Sequence, residues 1–308
     1  MSKTEYARYV ALGDSQTEGV GDGDDTVGLR GFADRLAEHL AAANPGLLYA
    51  NLAIRGRLAG QVVAEQVERA VALRPDVATV VAGVNDLLRP GFDAARVAGQ
   101  LEEAFAALSA AGAQVATATF PDIGRIAPAA RPLRPRVLAL NAHIREAAAR
   151  HGVVVAETGL SDVAADPRLW AVDRLHAGPL GHARIAAALA EALGVPGSDD
   201  SWSHPLPARP TPSALRTVST EVAWVAGFLG PWLGRRLRGR SSGDGRTAKR
   251  PELLPVFPGG AVPGPVVALP GPVVVVPGPV APVPAPVAGE SAAAESARRV
   301  AEPAPGAS

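Results

Sequence analysis

Tyr9 to Glu18 reads Y-V-A-L-G-D-S-Q-T-E, and the order of residue types within it decides the fold. Tyr9 to Leu12 is a short apolar run that stops at Gly13, a residue that permits a sharp turn just beyond the carboxyl end of a strand. Asp14 and Ser15 then fall on the turn. In an open α/β sheet, ligands bind outside the carboxyl ends of the strands, so a serine placed there faces a crevice rather than the core. Its hydroxyl becomes a nucleophile only where a base takes its proton, a second group orients that base, and donors await the developing oxyanion.

Outward from this stretch, apolar runs of strand length alternate with helical patterns. Gly19 to Asp25 (G-V-G-D-G-D-D) reads as a flexible acidic loop, and Gly31 to Ala43 as a helix with Phe32, Leu36 and Leu40 at helical spacing. Leu47 to Ala53 is a second strand that ends at Arg55-Gly56-Arg57; the helix after it carries Leu58, Val62, Val63, Val67 and Val71 and stops at Pro75. Val77 to Ala82 is continuously apolar, as in a strand covered on both faces, and ends at Gly83-Val84-Asn85-Asp86. Asp93 caps a helix running to about Ala111, with Val97, Leu101, Phe105 and Leu108 on one stripe. Ala113 to Phe120 is the fourth strand. The loop after it carries Pro121, Pro128, Pro132 and Pro135 and is expected to be irregular and to lie over the crevice. Val137 to Arg150 is a helix, Val153 to Glu157 the fifth strand, and Pro179 to Leu193 a last helix with proline in its first turn. Five short strands alternating with helices predict an α/β fold, a three-layer α/β/α sandwich around a five-stranded parallel sheet.

Asp173 and His176 are three apart on the loop before that last helix, close enough for the carboxylate to reach Nδ1 while Nε2 points elsewhere. Each residue alone has a blander reading. Ser15 could cap a helix, Asp173 could pair with Arg174, His176 could be a surface residue, and Gly56 and Asn85 could be turn formers. Falling together at strand ends and on one late loop, they read as a single site.

Over Tyr6 to about Gly194 the sequence resembles the SGNH hydrolases, the GDSL-type esterases and lipases. G-D-S at Gly13 to Ser15, N-L-A-I-R-G at Asn51 to Gly56, G-V-N-D at Gly83 to Asp86 and D-R-L-H at Asp173 to His176 match the four blocks of that family in order. The resemblance implies a flavodoxin-like sandwich and a serine hydrolase cleaving carboxylic esters. Ser15 is the implied nucleophile, His176 the base and Asp173 the acid; the backbone N–H groups of Ser15 and Gly56 and the side-chain amide of Asn85 form the implied oxyanion hole. No metal and no organic cofactor is implied, and the expected partner is a small-molecule ester. The serine lies in G-D-S-Q-T rather than a G-x-S-x-G elbow, and acid and base share a loop, which argues against the larger α/β-hydrolase fold. Lipid esters, sugar O-acetyl groups and thioesters share the same tetrahedral chemistry, and the residues do not separate them. The rival reading is a non-catalytic membrane-surface or scaffolding protein whose working parts lie in the C-terminal third.

Composition narrows the field. Lys+Arg and Asp+Glu are 30 each, so no net field draws nucleic acid to the chain. Without cysteine there is no disulfide, thiolate nucleophile or zinc–thiolate site. Gly19, Gly21 and Gly23 miss the dinucleotide G-x-G-x-x-G spacing, and Asp22, Asp24 and Asp25 lack the remaining ligands of a calcium loop. His39, His143, His151, His182 and His204 have no partner at metal-ligand spacing and read as structural. The start, M-S-K-T-E-Y-A-R-Y, lacks the apolar run of a secretory signal, so cytoplasmic is the expected location.

Residues 1–195 form the expected catalytic domain and 196–218 a Pro-, Ser- and Asp-bearing linker. In 219–240, Trp224, Phe228 and Trp232 are four apart and run into Arg235, Arg236, Arg238 and Arg240. A helix there is too short in apolar length to span a bilayer; it suits docking on its own catalytic domain or peripheral contact with an anionic membrane. Residues 241–308 read as a basic, then Pro/Val/Ala-rich disordered tail, uncharged from Pro255 to Gly289. The oligomeric state is not legible.

Overall fold

The computed structural model describes residues 6–208, 224, 226, 227 and 241–256. Strand β1 (Arg8–Gly13) lies at the centre of the main sheet. A two-residue hairpin, β2 (Gly23–Asp24) with β3 (Gly28–Leu29), stands apart from that sheet. The chain then returns as β4 (Leu48–Asn51) on one side of β1, and as β5 (Val77–Val81), β6 (Gln114–Ala118) and β7 (Val154–Ala156) on the other. These five strands are parallel, in the spatial order β7-β6-β5-β1-β4. Strand order therefore reverses between β1 and β5, and a crevice at the carboxyl ends of that pair is the place such a sheet offers a ligand.

The reasons lie in the side chains. Every residue of β5 is buried, as its unbroken apolar run requires of a strand covered on both faces. Tyr9 stacks on Tyr49 with ring centroids 5.0 Å apart, and its buried hydroxyl is satisfied by Thr79 Oγ1 at 2.8 Å. Helix Phe32–Ala43 turns Phe32, Leu36 and Leu40 into the core, and Ala94–Ala110 does so with Val97, Leu101, Phe105 and Leu108.

Five expectations are corrected. The sheet has six strands, because β8 (Arg250–Pro255) adds antiparallel to β4 with Tyr49 opposite Leu254 and Asn51 opposite Arg250. The disordered reading therefore fails at residues 241–256, while 257–308 lie outside the described residues. Prolines at 251 and 255 hide the strand from periodicity, yet an edge strand tolerates residues without an N–H. The acidic loop is tied down: Asp22 pairs with Arg35, Asp24 accepts from the Thr26 and Val27 N–H groups, and Asp25 pairs with Arg55 and Arg246. The proline-bearing loop contains helix Ile123–Ile126 and the 3-10 helix Pro128–Leu133, and the next helix starts at Arg134 because Pro135 fits its first turn. The helix after β4 is interrupted by a π turn at Val63–Val67. Among the described residues no helix is long and apolar enough to cross a membrane.

His182 has the structural role expected of it. Its Nδ1 accepts from the Phe32 N–H at 3.1 Å and its Nε2 donates to the Val20 carbonyl at 3.1 Å, fastening helix Pro179–Ala192 to the start of the helix at Phe32. That pattern demands the neutral ring, and burial pushes its pKa down to about 4. The unfolded chain binds a proton near the ordinary value of 6.5 and the folded chain does not, so stability is full above 6.5 and is lost as pH falls towards 4. The shift corresponds to about 3 kcal/mol. Urea unfolding at a series of pH values should show the His182→Gln chain losing less stability than the parent between pH 6.5 and 4, by about this amount; parallel curves would refute the assignment.

Candidate active site

The turn after β1 has one permitted shape. Gly13 adopts φ +154°, and a Cβ there would overlap Thr17 Oγ1 and the Val81 carbonyl, so no other residue fits. Its N–H donates to Gln66 Oε1 and its carbonyl accepts from Gln66 Nε2, both at 2.9 Å. Gln66 is turned inward from the π turn and is almost wholly buried. Asp14, not Ser15, caps the short helix Ser15–Glu18, accepting from the Gln16 N–H at 3.2 Å. Ser15 is thereby freed from capping and presented at the carboxyl end of the sheet.

The late loop meets it there. His176 Nε2 lies 2.8 Å from Ser15 Oγ, and His176 Nδ1 lies 2.6 Å from Asp173 Oδ2. With the Nδ1 proton committed to the carboxylate, the neutral ring offers its Nε2 lone pair to the serine hydroxyl. Asp173 Oδ1 also accepts from the N–H groups of Leu175 and His176, at 3.0 Å each. Arg174 takes φ +56°, a left-handed step between Asp173 and His176. Burial works against ionising Asp173, but the His176 hydrogen bond and the two N–H groups, joined by the ring's charge when it is protonated, outweigh it and hold its pKa below the usual carboxylate range.

The other two predicted residues border the same place. Asn85, in the helical turn Val84–Leu87 after β5, donates through Nδ2 to Asp14 Oδ2 at 3.1 Å and to the Arg57 carbonyl at 3.0 Å. Gly56 follows β4 with φ +78°. The preceding residue, Arg55, is gripped by Glu18, whose carboxylate accepts from the Arg55 N–H at 2.6 Å and from its guanidinium at 2.6 and 2.9 Å. Asp14 is fully enclosed, and burial pushes its pKa up to about 7 despite the Gln16 N–H and the nearby His176. Burial also raises Asp86, which accepts from the Ala59 N–H at 2.9 Å.

Three residues of this arrangement escape sequence reasoning. Gln66 and Glu18 are two, and Gln16 is the third: its Nε2 donates to the Leu175 carbonyl at 2.9 Å and its Oε1 accepts from the Ala177 N–H at 3.2 Å, bracketing His176. Gln66 left a trace, a polar residue on the Val62–Ala70 stripe of an otherwise apolar face. The other two left none. Trp224 also reaches the loop: its indole N–H donates to the Asp173 carbonyl at 3.0 Å, and the Arg174 guanidinium lies 5.2 Å from its ring centroid. Phe228, Trp232, Arg235, Arg236 and Arg238 lie outside the described residues.

Residues 11–184 match the family described as GDSL-like Lipase/Acylhydrolase. No curated protein matches the chain. Among solved structures it is similar to LAE5, an alpha/beta hydrolase enzyme from the metagenome of Lake Arreo, Spain, at 22% identity and a TM-score of 0.51, over 61% of this chain and 95% of that one. A catalytic mutant of Axe2, an acetylxylan esterase from Geobacillus stearothermophilus, is similar at 18% identity and a TM-score of 0.53, over 67% of this chain and 100% of that one. TesA is similar at 22% identity and a TM-score of 0.50, over 60% and 97%. At such identities the likeness is one of fold.

Gln16 offers a direct check on how His176 is held. Gln16→Leu removes both hydrogen bonds to the backbone flanking His176, at about 1 kcal/mol apiece. The rate at which a serine-directed phosphonate labels Ser15 should fall roughly tenfold, and the thermal midpoint should drop by several degrees. An unaltered labelling rate would show that His176 keeps its place without the amide.

Proposed function

Because this chain belongs to the GDSL-like lipase/acylhydrolase family and is a hydrolase acting on esters, we propose that it cleaves carboxylic esters with Ser15 as nucleophile, His176 as base and Asp173 as acid. The observation that carries this reading is the unbroken hydrogen-bond chain Ser15–His176–Asp173 at the carboxyl end of β1. In the proposed reaction Ser15 Oγ attacks the ester carbonyl while His176 Nε2 takes its proton. The ring then returns that proton to the leaving alcohol, and water repeats the sequence on the acyl-enzyme. Asp173 keeps the ring in the correct tautomer and stabilises the imidazolium. Asp14, when ionised, adds a second negative charge near that imidazolium.

For the oxyanion we assign the Ser15 and Gly56 backbone N–H groups and the Asn85 amide. One Asn85 N–H would stay anchored on Asp14, while the other leaves the Arg57 carbonyl for the substrate oxygen. A sugar O-acetyl ester is the second substrate reading; what favours it is the fold shared with an acetylxylan esterase. For Trp224 we propose docking on the catalytic loop rather than membrane contact, since its indole N–H is engaged by the Asp173 carbonyl.

Two outcomes are expected. Ser15→Ala abolishes phosphonate labelling, and a folded parent chain that takes no label would refute the hydrolase assignment. Asn85→Ala lowers kcat on p-nitrophenyl esters by roughly 100- to 1000-fold, the usual worth of one side-chain oxyanion donor. A chain-length series of those esters, run beside acetylated xylooligosaccharide, separates the two substrate readings by kcat/KM.

A further inference from the structure

The turn that carries Gly56 is covered by residues far downstream of the family match. Ser241 to Asp244 form a turn fastened on itself: the Ser241 N–H donates to Asp244 Oδ2 at 2.9 Å and the Gly243 N–H to Ser241 Oγ at 3.2 Å. This turn lies directly on Arg55–Gly56. A Cβ on Gly243 would overlap the Arg55 carbonyl, and a Cβ on Gly56 would overlap Ser241 Oγ. At Gly243 backbone therefore meets backbone, while Gly56 faces the Ser241 hydroxyl.

Charge links the same two turns. The Arg246 guanidinium donates to Asp25 at 2.6 and 3.1 Å, and Asp25 also accepts from Arg55 at 2.8 Å. Arg55 is held in turn by Glu18, the last residue of the helix that Ser15 begins. A continuous chain of contacts thus runs from Arg246 to the nucleophile's own helix. Beyond it, Lys249 Nζ reaches Asp34 at 2.6 Å and the Leu29 carbonyl at 3.0 Å, and β8 pairs with β4, anchoring the segment away from Gly56.

We infer that residues 241–246 are a positioning element of the ester-cleaving site, holding the Arg55–Gly56 turn in the shape that presents the Gly56 N–H to the oxyanion. The inference rests on the role proposed for Gly56. A purely structural strap would make the same contacts and affect stability alone, so rate must be separated from stability. Arg246 and Asp25 are well exposed, and an exposed pair contributes little to stability.

The test measures p-nitrophenyl acetate hydrolysis and thermal midpoints on the full chain and on Gly243→Val, Arg246→Ala, Arg246→Lys and Lys249→Ala. Misplacing a donor by a fraction of an ångström should lower kcat roughly tenfold or more in Gly243→Val and roughly three- to tenfold in Arg246→Ala, with KM within about twofold. Arg246→Lys should recover most of the loss, and Lys249→Ala should keep the parental kcat whatever its midpoint. If Gly243→Val does not fold, Arg246→Ala and its lysine rescue decide. Parental kcat in both 243 and 246 variants, or an equal loss in Lys249→Ala, overturns the positioning role. A parent chain that hydrolyses no ester and takes no phosphonate at Ser15 overturns the hydrolase reading instead.

Discussion

At the end of β1 the chain must leave the sheet within one residue, where there is no room for a side chain. Gly13 meets the steric demand and Gln66 meets the polar one, taking the glycine's N–H and carbonyl together. Each such hydrogen bond is worth about 1 kcal/mol net, but leaving either group unpaired in a dry interior would cost more than making it gains. Everything chemical follows from this turn. It sets where Asp14 caps, hence where Ser15 points, hence where the imidazole must come to meet it.

The carboxylates around this turn differ because their surroundings differ. Asp173 is partly buried yet receives the imidazole and two N–H groups, so it remains charged. Asp14 is enclosed with fewer compensating donors, and its pKa of about 7 leaves it divided between charged and neutral forms near neutrality. Glu18 is nearly inaccessible and is matched by the Arg55 guanidinium and N–H. Three acids around one turn thus have different partners: Asp173 holds the His176 ring, Asp14 the Asn85 amide, and Glu18 the Arg55 N–H and guanidinium.

The five parallel strands and the converging site were legible because chemistry-bearing residues follow apolar runs, and such a sheet gathers strand ends at one edge. Ser15, Asp173 and His176 could be brought together on that ground. The supporting shell was not legible in the same way. Gln66 shows only as one polar residue on the Val62–Ala70 stripe, and the π turn that carries it has no signature in a regular 3.6 period. Gln16 acts on backbone atoms, which have no sequence signature, and Glu18 pairs with the N–H and guanidinium of Arg55, a partner far along the chain that no spacing marks. β8 was hidden by its own prolines, and the strap before it by a basic, glycine-bearing composition that reads as unstructured chain.

β8 also has a bearing on how this protein behaves in a crowded solution. The outer side of β4 carries a row of main-chain donors and acceptors that a foreign strand could zip onto. β8 occupies that row, and Pro251 and Pro255 interrupt its own capacity to recruit a further neighbour. A version that ended before residue 241 would bare that ribbon and leave it open to pairing with copies of itself.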